Sequence, residues 1–230
     1  MTTVSLCLVS HTNAGKTTLA RTLLRRDIGE VGDRAHVTEL AERHELLAAG
    51  DDALLLWDTP GFGDSVRLLK RLRGADRPLA NPVAWFLSVV WDRYADRPFW
   101  CSQQAMKSAR DEADLVLYVA NAAEDPGAAA YVDPELEILA WLGKPVLVLL
   151  NQLGEGQSPE AVAADVRRWE AAVARHPVVR GVLPFDAFAR CWVQEHVLLG
   201  ALAAHVPEER AAAYARLVEA WRDRDLEVLD

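Results

Sequence analysis

A glycine-lysine-threonine triplet, Gly15 to Thr17, lies between an apolar run and a helical pattern. The stretch SHTNAGKT at residues 10–17 matches a phosphate-binding loop, except that Ser10 stands where such loops begin with glycine. In these loops consecutive backbone amides and the helix N-terminus surround the β-phosphate, and the lysine neutralises β and γ oxygens. The Cβ of Ser10 restricts φ without preventing the loop. Because the motif needs a strand before it and a helix after it, it predicts an α/β fold.

Five apolar runs predict strands around this loop. They read TVSLCLVS (3–10), ALLLWDT (53–59), LVLYVANA (115–122), PVLVLLNQ (145–152) and, more weakly, VVRGVLPF (178–185). Apolar runs without alternation are typical of parallel strands covered on both faces. Residues 38–47 predict an antiparallel hairpin strand paired with residues 53–58, with a helix as the competing interpretation. Helical patterns follow at 15–26, 133–143 and 158–176. We predict a doubly wound, mainly parallel sheet with one antiparallel edge strand.

Composition narrows the classes of partner. Lysine and arginine total 25 against 34 acidic residues, a formal net charge of −9. The chain therefore lacks the basic excess that binding to a phosphate backbone requires, and no DNA partner is expected. The N-terminus has no signal-peptide pattern, and no apolar run reaches the roughly 18–20 residues that span a bilayer. These features predict a cytoplasmic protein whose membrane contact is at most peripheral.

A second motif ends the predicted strand 53–59. The stretch LLLWDTPGFGD places Asp58 after apolar residues, with Gly61 close behind it. A carboxylate at this end of a strand can bind Mg²⁺ through water, and the Gly61 amide can contact a γ-phosphate. The Thr17 hydroxyl is the Mg²⁺ ligand that the phosphate loop offers. Together the two motifs predict a site for Mg²⁺ and a nucleoside triphosphate.

The sequences NAGKT (13–17) and DTPG (58–61) together resemble the Era/MnmE-type bacterial GTPases of the TRAFAC class. More narrowly, HVT, WDTPGFGDS and FDAFARCW resemble a bacterial branch in which a C-terminal domain of unknown function follows the GTPase domain. The resemblance covers roughly residues 1–200. It implies a P-loop NTPase G domain that binds GTP and GDP with Mg²⁺ and hydrolyses GTP as a nucleotide-dependent switch.

The resemblance also implies roles for individual residues. Lys16 stabilises the transferring phosphoryl group, and Thr38 is the switch I threonine that closes over the γ-phosphate and places the attacking water. Mg²⁺ is then held by Thr17, Thr38 and Asp58. The residues implied to bind the nucleotide are Asn13, Ala14, Gly15, Lys16, Thr17, Thr18, Gly61, Asn151 and Ala187, and those implied to act in catalysis are Lys16, Thr38 and Asn13.

Phe62 follows Gly61 where Ras-like enzymes have the glutamine that orients water. A phenyl ring cannot hydrogen-bond to water, so this device is absent. Related MnmE-type enzymes also have an apolar residue there, and some hold a K⁺ ion through the asparagine that Asn13 matches. Such a cation neutralises charge that develops during phosphoryl transfer. Two roles remain open for Asn13: a K⁺ ligand, or a brace that holds the loop by hydrogen bonding.

The base-reading motif departs from the family pattern. Relatives have Asn-Lys-x-Asp, and the aspartate pairs with guanine, whereas this chain has NQLG at residues 151–154. Asn151 remains, but the lysine is glutamine and the aspartate is Gly154. Glu155 or Asp186 are the candidates to replace the missing carboxylate, and the Ala187 amide is expected to meet guanine O6.

Residues 75–112 form a predicted helical insert with many aromatic residues. They include Trp85, Phe86, Trp91, Tyr94, Phe99 and Trp100. The insert follows switch II, the segment that begins with DTPGFGDS at residues 58–65. Two interpretations of segment 83–100 remain open: together with switch II it is a docking surface for a protein partner, or it is a satellite core. The GTPase domain is predicted to span residues 1–205, and residues 206–230 to form an amphipathic helix that begins a further domain.

The departures from the family pattern keep two other functions open. The missing aspartate favours a P-loop ATPase or a hydrolase that accepts several nucleotides. Ser10, Phe62 and the altered base motif also fit a pseudo-GTPase, an interaction module without turnover.

Overall fold

The computed structural model describes residues 2–25, 40–74, 82–88, 96–154, 156–187 and 192–227. Six strands in these ranges form one sheet in the order β2-β3-β1-β4-β5-β6. They are β1 (Thr2–Ser10), β2 (Glu42–Ala49), β3 (Asp52–Asp58), β4 (Leu115–Asn121), β5 (Val146–Asn151) and β6 (Val179–Pro184). Strand β2 runs antiparallel to β3, and the other neighbours are parallel. The predicted fold is confirmed, including the antiparallel edge strand.

The helices of the described ranges lie between the strands, except for the last two, which follow β6. They are α1 (Lys16–Leu24), α2 (Ser65–Arg73), α3 (Pro82–Ser88), α4 (Arg97–Asp111), α5 (Val132–Ala140), α6 (Pro159–Val173), α7 (Trp192–Ala203) and α8 (Glu208–Glu227). Local sequence sets their ends: the Ser158 side chain accepts the N–H of Ala161 at the start of α6, where proline occupies the first turn. None of the described helices combines the length and apolar character needed to span a membrane.

Both faces of the sheet are covered, which explains why the central strands β3, β1, β4 and β5 are mainly apolar without alternation. Leu6 and Leu8 of β1 pack in a cluster with α1, α7 and α8, whereas Cys7 and Val9 pack in a second cluster with α2 to α6. Successive side chains of a strand point to opposite faces, so β1 contributes to both clusters. The loop that follows β1 therefore begins from a strand fixed on both sides.

Helix α8 packs on the same sheet face as α1. Its Tyr214, Leu217 and Trp221 are buried in the cluster that contains Leu6. Arg210 of α8 donates to the carbonyl oxygen of Thr3, 2.8 Å away. The division of the chain at residue 205 and the further domain stay predictions, while the described part of α8 is packed onto the sheet.

The described helices of the aromatic segment, α3 and α4, pack into the core. Phe86 and Phe99 are fully buried, and their rings meet edge to face with centroids 6.2 Å apart. They share a cluster with Phe62, which lies within the second motif. Trp91 and Tyr94 lie outside the described residues. The burial of Phe86 and Phe99 favours the interpretation of these two residues as part of a core. The docking role of segment 83–100 stays a prediction.

Replacing Phe99 with alanine removes a fully buried ring and leaves a cavity between α4 and the core. We expect Phe99→Ala to lower the free energy of unfolding by about 3–5 kcal/mol. Val66→Ala on α2 is the control, because its side chain is half exposed and the expected change is within about 0.5 kcal/mol. Urea unfolding followed by circular dichroism measures both. Equal losses would contradict the packing of α4.

Candidate nucleotide-binding site

The loop between β1 and α1 has the backbone of a phosphate cup. Asn13 and Gly15 both adopt positive φ, 66° and 86°, which turns the chain sharply before α1 begins at Lys16. The N–H of Leu19 donates to the Gly15 carbonyl oxygen at 2.9 Å and closes the first helical turn. The first amides of α1 therefore face the loop without intrahelical partners, as anion binding requires.

Lys16 points back across this loop. Its Nζ donates to Ser10 Oγ at 3.0 Å, and the residue is only 8% exposed. Burial lowers the pKa of Lys16, and the carboxylates of Asp58 and Glu135 oppose that shift. Ser10, which replaces the usual first glycine of the motif, thus supplies a hydrogen-bond acceptor for the buried ammonium group of Lys16.

Thr17 and Asp58, two of the three predicted Mg²⁺ ligands, are in contact. Thr17 Oγ1 donates to Asp58 Oδ2 at 2.8 Å. Asp58 is almost fully buried, and its Oδ1 has no hydrogen-bond partner within the described part of the chain. Burial raises the pKa of Asp58, while Lys16 and Thr17 oppose the shift. The third predicted ligand, Thr38, lies outside the described residues.

An unpartnered carboxylate oxygen beside a hydroxyl fits a magnesium ion. Mg²⁺ in phosphate-transfer sites is held by one or two protein oxygens, the phosphates and several waters. A denser cluster of three or more acidic, histidine or cysteine side chains is absent from the described ranges, and such a site does not need one. Asp58 and Thr17 are thus chemically suited to Mg²⁺.

The segment after β3 is held against the phosphate loop. The Thr59 hydroxyl donates to the Leu8 carbonyl oxygen at 2.6 Å, and the N–H of Phe62 donates to the Ser10 carbonyl oxygen at 2.8 Å. A Cβ built on Gly61 would lie 3.1 Å from Cα of Thr12, so glycine permits this close approach. The Phe62 ring is fully buried in the core. It occupies a packing position, which agrees with the absence of a water-orienting side chain there.

Asn151 connects three loops. Its Nδ2 donates to the Ala14 carbonyl oxygen at 3.0 Å, and its Oδ1 accepts the N–H of Ala187 at 2.8 Å. Thr22 of α1 donates to the Ala187 carbonyl oxygen at 2.7 Å. The Ala187 amide, predicted to meet guanine O6, is therefore already engaged by Asn151 in this geometry. Of the two candidates for the missing carboxylate, Asp186 accepts the N–H of Leu153, and Glu155 lies outside the described residues.

Sequence reasoning missed a buried carboxylate beside the phosphate loop. Glu135 is fully buried; its Oε1 lies 2.8 Å from His11 Nδ1, and its Oε2 accepts the Tyr118 hydroxyl at 2.7 Å. The His11 ring stacks on Tyr131 with centroids 4.0 Å apart. Burial raises the pKa of Glu135, and the contact with His11 opposes that shift. The sequence signal was a glutamate on the apolar stripe of α5, among Val132, Leu136 and Leu139.

The sheet order, the loop between β1 and α1, and Asp58 at the end of β3 define the G domain of a P-loop GTPase, a class of GTP hydrolases. The sequence profile of the family described as 50S ribosome-binding GTPase matches residues 5–152. The chain belongs to this family. The Era-type resemblance of its motifs is confirmed, and the C-terminal domain of unknown function stays a prediction.

Individual relatives agree with this assignment. GTPase Der from Azorhizobium caulinodans is 30% identical over 190 residues, which are 77% of this chain and 41% of Der. An Era variant from Aquifex aeolicus bound to GDP·AlF4⁻ superimposes with a TM-score of 0.65 at 18% identity, over 90% of this chain and 58% of that one. Era with MgGDPNP and part of 16S ribosomal RNA gives 0.64, with the same identity and coverage. At this identity the structures support the fold, and the chain spans under two thirds of each relative.

Alanine substitutions at Gly15 and Gly143 test the close contact of the phosphate loop with Asn151. Both have positive φ, but a Cβ on Gly15 would lie 2.5 Å from Asn151 Nδ2, whereas nothing lies within 4 Å of one on Gly143. Both alanine variants incur backbone strain, and we expect Gly15→Ala to cost about 1–3 kcal/mol more because it also displaces Asn151. Urea unfolding without nucleotide measures the difference. Equal costs for the two variants would contradict the close contact.

Proposed function

We propose that this chain binds GTP and GDP, hydrolyses GTP to GDP and phosphate, and changes its contacts with the nucleotide state. The observation that carries the proposal is the joint geometry of Lys16, Thr17 and Asp58 around one loop: a buried ammonium group, a hydroxyl and an unpartnered carboxylate oxygen. These are the groups needed for β and γ phosphates and their cation. Family membership supports the same reading.

Within this proposal each residue has a defined task. The amides of residues 13–18 surround the phosphates, Lys16 neutralises β and γ oxygens, and the Gly61 amide contacts the γ-phosphate. Asn151 holds the loop from the base side. Thr38, which the sequence assigns to switch I, closes over the γ-phosphate and places the attacking water.

Magnesium completes the proposed site. Thr17 would bind it directly and Asp58 through water, and Thr38 is the further ligand that the sequence suggests. When bound, Mg²⁺ supplies positive charge that stabilises the phosphate oxygens during transfer. An Era structure holds MgGDPNP, which supports the same cofactor here.

We also propose that K⁺ stimulates the reaction through Asn13. The side chain is exposed at a position of positive φ, and it makes no hydrogen bond in the part of the chain that the structure describes. This disfavours the alternative in which Asn13 braces the loop. A monovalent cation here would take the role of the missing water-orienting side chain by neutralising developing charge.

A protein partner is proposed at switch II and segment 83–100. A Cβ on Gly63 would lie 2.6 Å from Cα of Pro98, so the start of switch II is in close contact with α4. The Gly63 N–H also donates to Ser102 Oγ at 3.2 Å. Movement of switch II would therefore be transmitted to α4. The net charge of −9 does not favour an RNA partner like the one seen with Era. Location in the cytoplasm and the domain division at residue 205 remain predictions.

One observation favours a second function. Gln152 and Gly154 carry no charge where the family reads guanine, so a hydrolase that accepts several nucleotides is the alternative. Titration with ATP beside GTP separates the two, because adenine lacks the N1–H and 2-amino donors of guanine.

Lys16→Ala should weaken binding of GDP and GTP in the presence of Mg²⁺. Losing two charge-assisted contacts to phosphate corresponds to a roughly hundred- to ten-thousand-fold higher Kd. Lys144→Ala is the matched control, since Lys144 precedes β5 and so lies at the opposite end of the strands from the phosphate loop. Calorimetric titration with GDP, GTP and ATP measures the affinities. Wild-type protein that binds none of them would overturn the proposed function.

Single-turnover phosphate release should be about tenfold faster or more in K⁺ than in Na⁺ buffer, because the cation neutralises transition-state charge. Asn13→Ala should abolish this difference while GDP affinity changes little. Equal rates in the two buffers would refute K⁺ stimulation. Absence of release in both, with GTP bound, would instead establish a nucleotide-binding scaffold without turnover.

A further inference from the structure

Glu135 of α5 is a fully buried carboxylate that the proposed function does not use. Both of its oxygens are engaged: Oε1 lies 2.8 Å from His11 Nδ1, and Oε2 accepts the Tyr118 hydroxyl at 2.7 Å. Burial and the nearby Glu135 carboxylate raise the pKa of Tyr118, so the phenol keeps its proton and is the donor. An ionised carboxylate only accepts, which places a proton of the imidazole on Nδ1. Burial of a carboxylate costs free energy that an apolar side chain would not cost, and the contact with His11 is what this residue provides.

The imidazole of His11 is held at one nitrogen and on one face. Glu135 contacts Nδ1, and the ring of Tyr131 at the start of α5 stacks on the imidazole with centroids 4.0 Å apart. Tyr131 is itself fixed, since its hydroxyl bonds the carboxylate of Glu124. A carboxylate that bonds one ring nitrogen determines both the tautomer and the orientation of a histidine. The side chain of His11 is therefore fixed against α5.

The backbone of His11 joins the phosphate loop to the segment that follows β3. His11 forms an isolated parallel bridge with Phe62, and the N–H of Phe62 donates to the Ser10 carbonyl oxygen at 2.8 Å. On the other side of His11, a Cβ built on Gly61 would lie 3.1 Å from Cα of Thr12. A displacement of His11 would therefore change how these two segments lie against each other.

These segments carry the groups that distinguish GTP from GDP in the proposed function. Lys16 neutralises β and γ oxygens, whereas the Gly61 amide contacts the γ-phosphate. The amides that surround the β-phosphate belong to the end of the loop and to the helix that begins at Lys16. Gly61, in contrast, is held against the loop next to the bridge at His11. A displaced His11 would therefore disturb the γ-phosphate contact more than the β-phosphate contacts.

We propose that Glu135 is a positioning residue for the γ-phosphate: it holds His11, and His11 holds the Gly61 segment against the phosphate loop. The inference rests on the proposed function and deepens it. Because Glu135 is fully buried, its effect passes through His11. A displacement of about 1 Å at a reacting group costs roughly hundredfold in rate, so a residue that only positions the contact has a large effect. GTP hydrolysis and binding of a GTP analogue then depend on Glu135, whereas GDP binding does not.

The first test is Glu135→Gln, which keeps the shape of the side chain. The amide has one acceptor oxygen, so it cannot accept from both Tyr118 and His11. We expect single-turnover GTP hydrolysis to be about ten- to hundredfold slower and a non-hydrolysable GTP analogue to bind about tenfold more weakly, with little change in the Kd for GDP. Asp114→Asn is the matched control, because this buried carboxylate accepts the N–H of Ser5 and precedes β4, at the opposite end of the strands. It should lower stability without changing the ratio of the two affinities.

His11 variants separate positioning from stability. The Nδ2 of asparagine lies at about the place of the imidazole Nδ1 and can donate to Glu135, so His11→Asn should keep most of the wild-type hydrolysis rate. His11→Ala removes the donor and should match Glu135→Gln. NMR of the imidazole nitrogens should show His11 protonated at Nδ1 in wild type. In Glu135→Gln the Nδ1 proton should be lost, because the amide donates to Nδ1 once its oxygen accepts from Tyr118. A wild-type Nδ1 without a proton would overturn the inference.

Calorimetry with GDP and the GTP analogue, together with phosphate release, distinguishes the outcomes. If folded Glu135→Gln loses affinity equally for both nucleotides, or keeps the wild-type affinities and rate, the inference is overturned and the nucleotide site stands. Equal rates in His11→Asn and His11→Ala would overturn it as well, and this comparison serves as the test if Glu135→Gln does not fold. If wild type binds no nucleotide, the proposed function fails and the inference fails with it.

Discussion

The side chain of Asn151 is the constraint on which the site depends. One buried amide group bonds the loop after β1 with its NH₂ and the loop after β6 with its oxygen. Three loops from three parallel strands are thereby held at one edge of the sheet, where open α/β folds bind their ligands. The bond is possible only because Gly15 has no Cβ, since one would lie 2.5 Å from Asn151 Nδ2. Glycine in the phosphate loop and asparagine at the end of β5 are therefore a single structural requirement.

Three charged side chains, Lys16, Asp58 and Glu135, are buried at the same end of the strands, and this burial determines the electrostatics of the site. Burial lowers the pKa of Lys16 and raises those of Asp58 and Glu135, so each group carries an electrostatic cost that the opposite charges only partly offset. The buried Oδ1 of Asp58 has no hydrogen-bond partner within the described ranges. In the function proposed above, a triphosphate with a divalent cation would supply what these groups lack: anionic oxygens for the ammonium and a cation for the carboxylate. An arrangement that is costly alone and favourable with ligand is typical of functional sites.

The sheet could be predicted from the sequence because its information is local. Each buried strand is an apolar run, and the phosphate loop is encoded by adjacent residues. The parts that could not be predicted depend on pairs far apart in the chain. His11 and Glu135 are 124 positions apart, so a glutamate on an apolar helix stripe gave no indication of its partner. In the sequence Ser10 is only a departure from the usual glycine, and the folded geometry is needed to show that it accepts a bond from Lys16. The sequence aligns Phe62 with a position that is catalytic in Ras-like enzymes, whereas its burial shows that it is a core residue.

Helix α1 connects the phosphate loop to the two C-terminal helices, α7 and α8. It begins at Lys16 in the phosphate loop and is followed by Arg25, which has a positive φ of 56°. The Arg25 guanidinium bonds Glu195 of α7 at 2.7 Å and pairs with Asp225 of α8. Both carboxylates are nearly fully buried, so breaking these pairs would leave uncompensated charge, which costs several kcal/mol (roughly 3–5). A shift of α1 along its axis would therefore strain the contacts of Arg25 with α7 and α8. Arg25 thus links the helix that begins in the phosphate loop to these two helices, although no residue of α8 lies in the candidate site as the described residues define it.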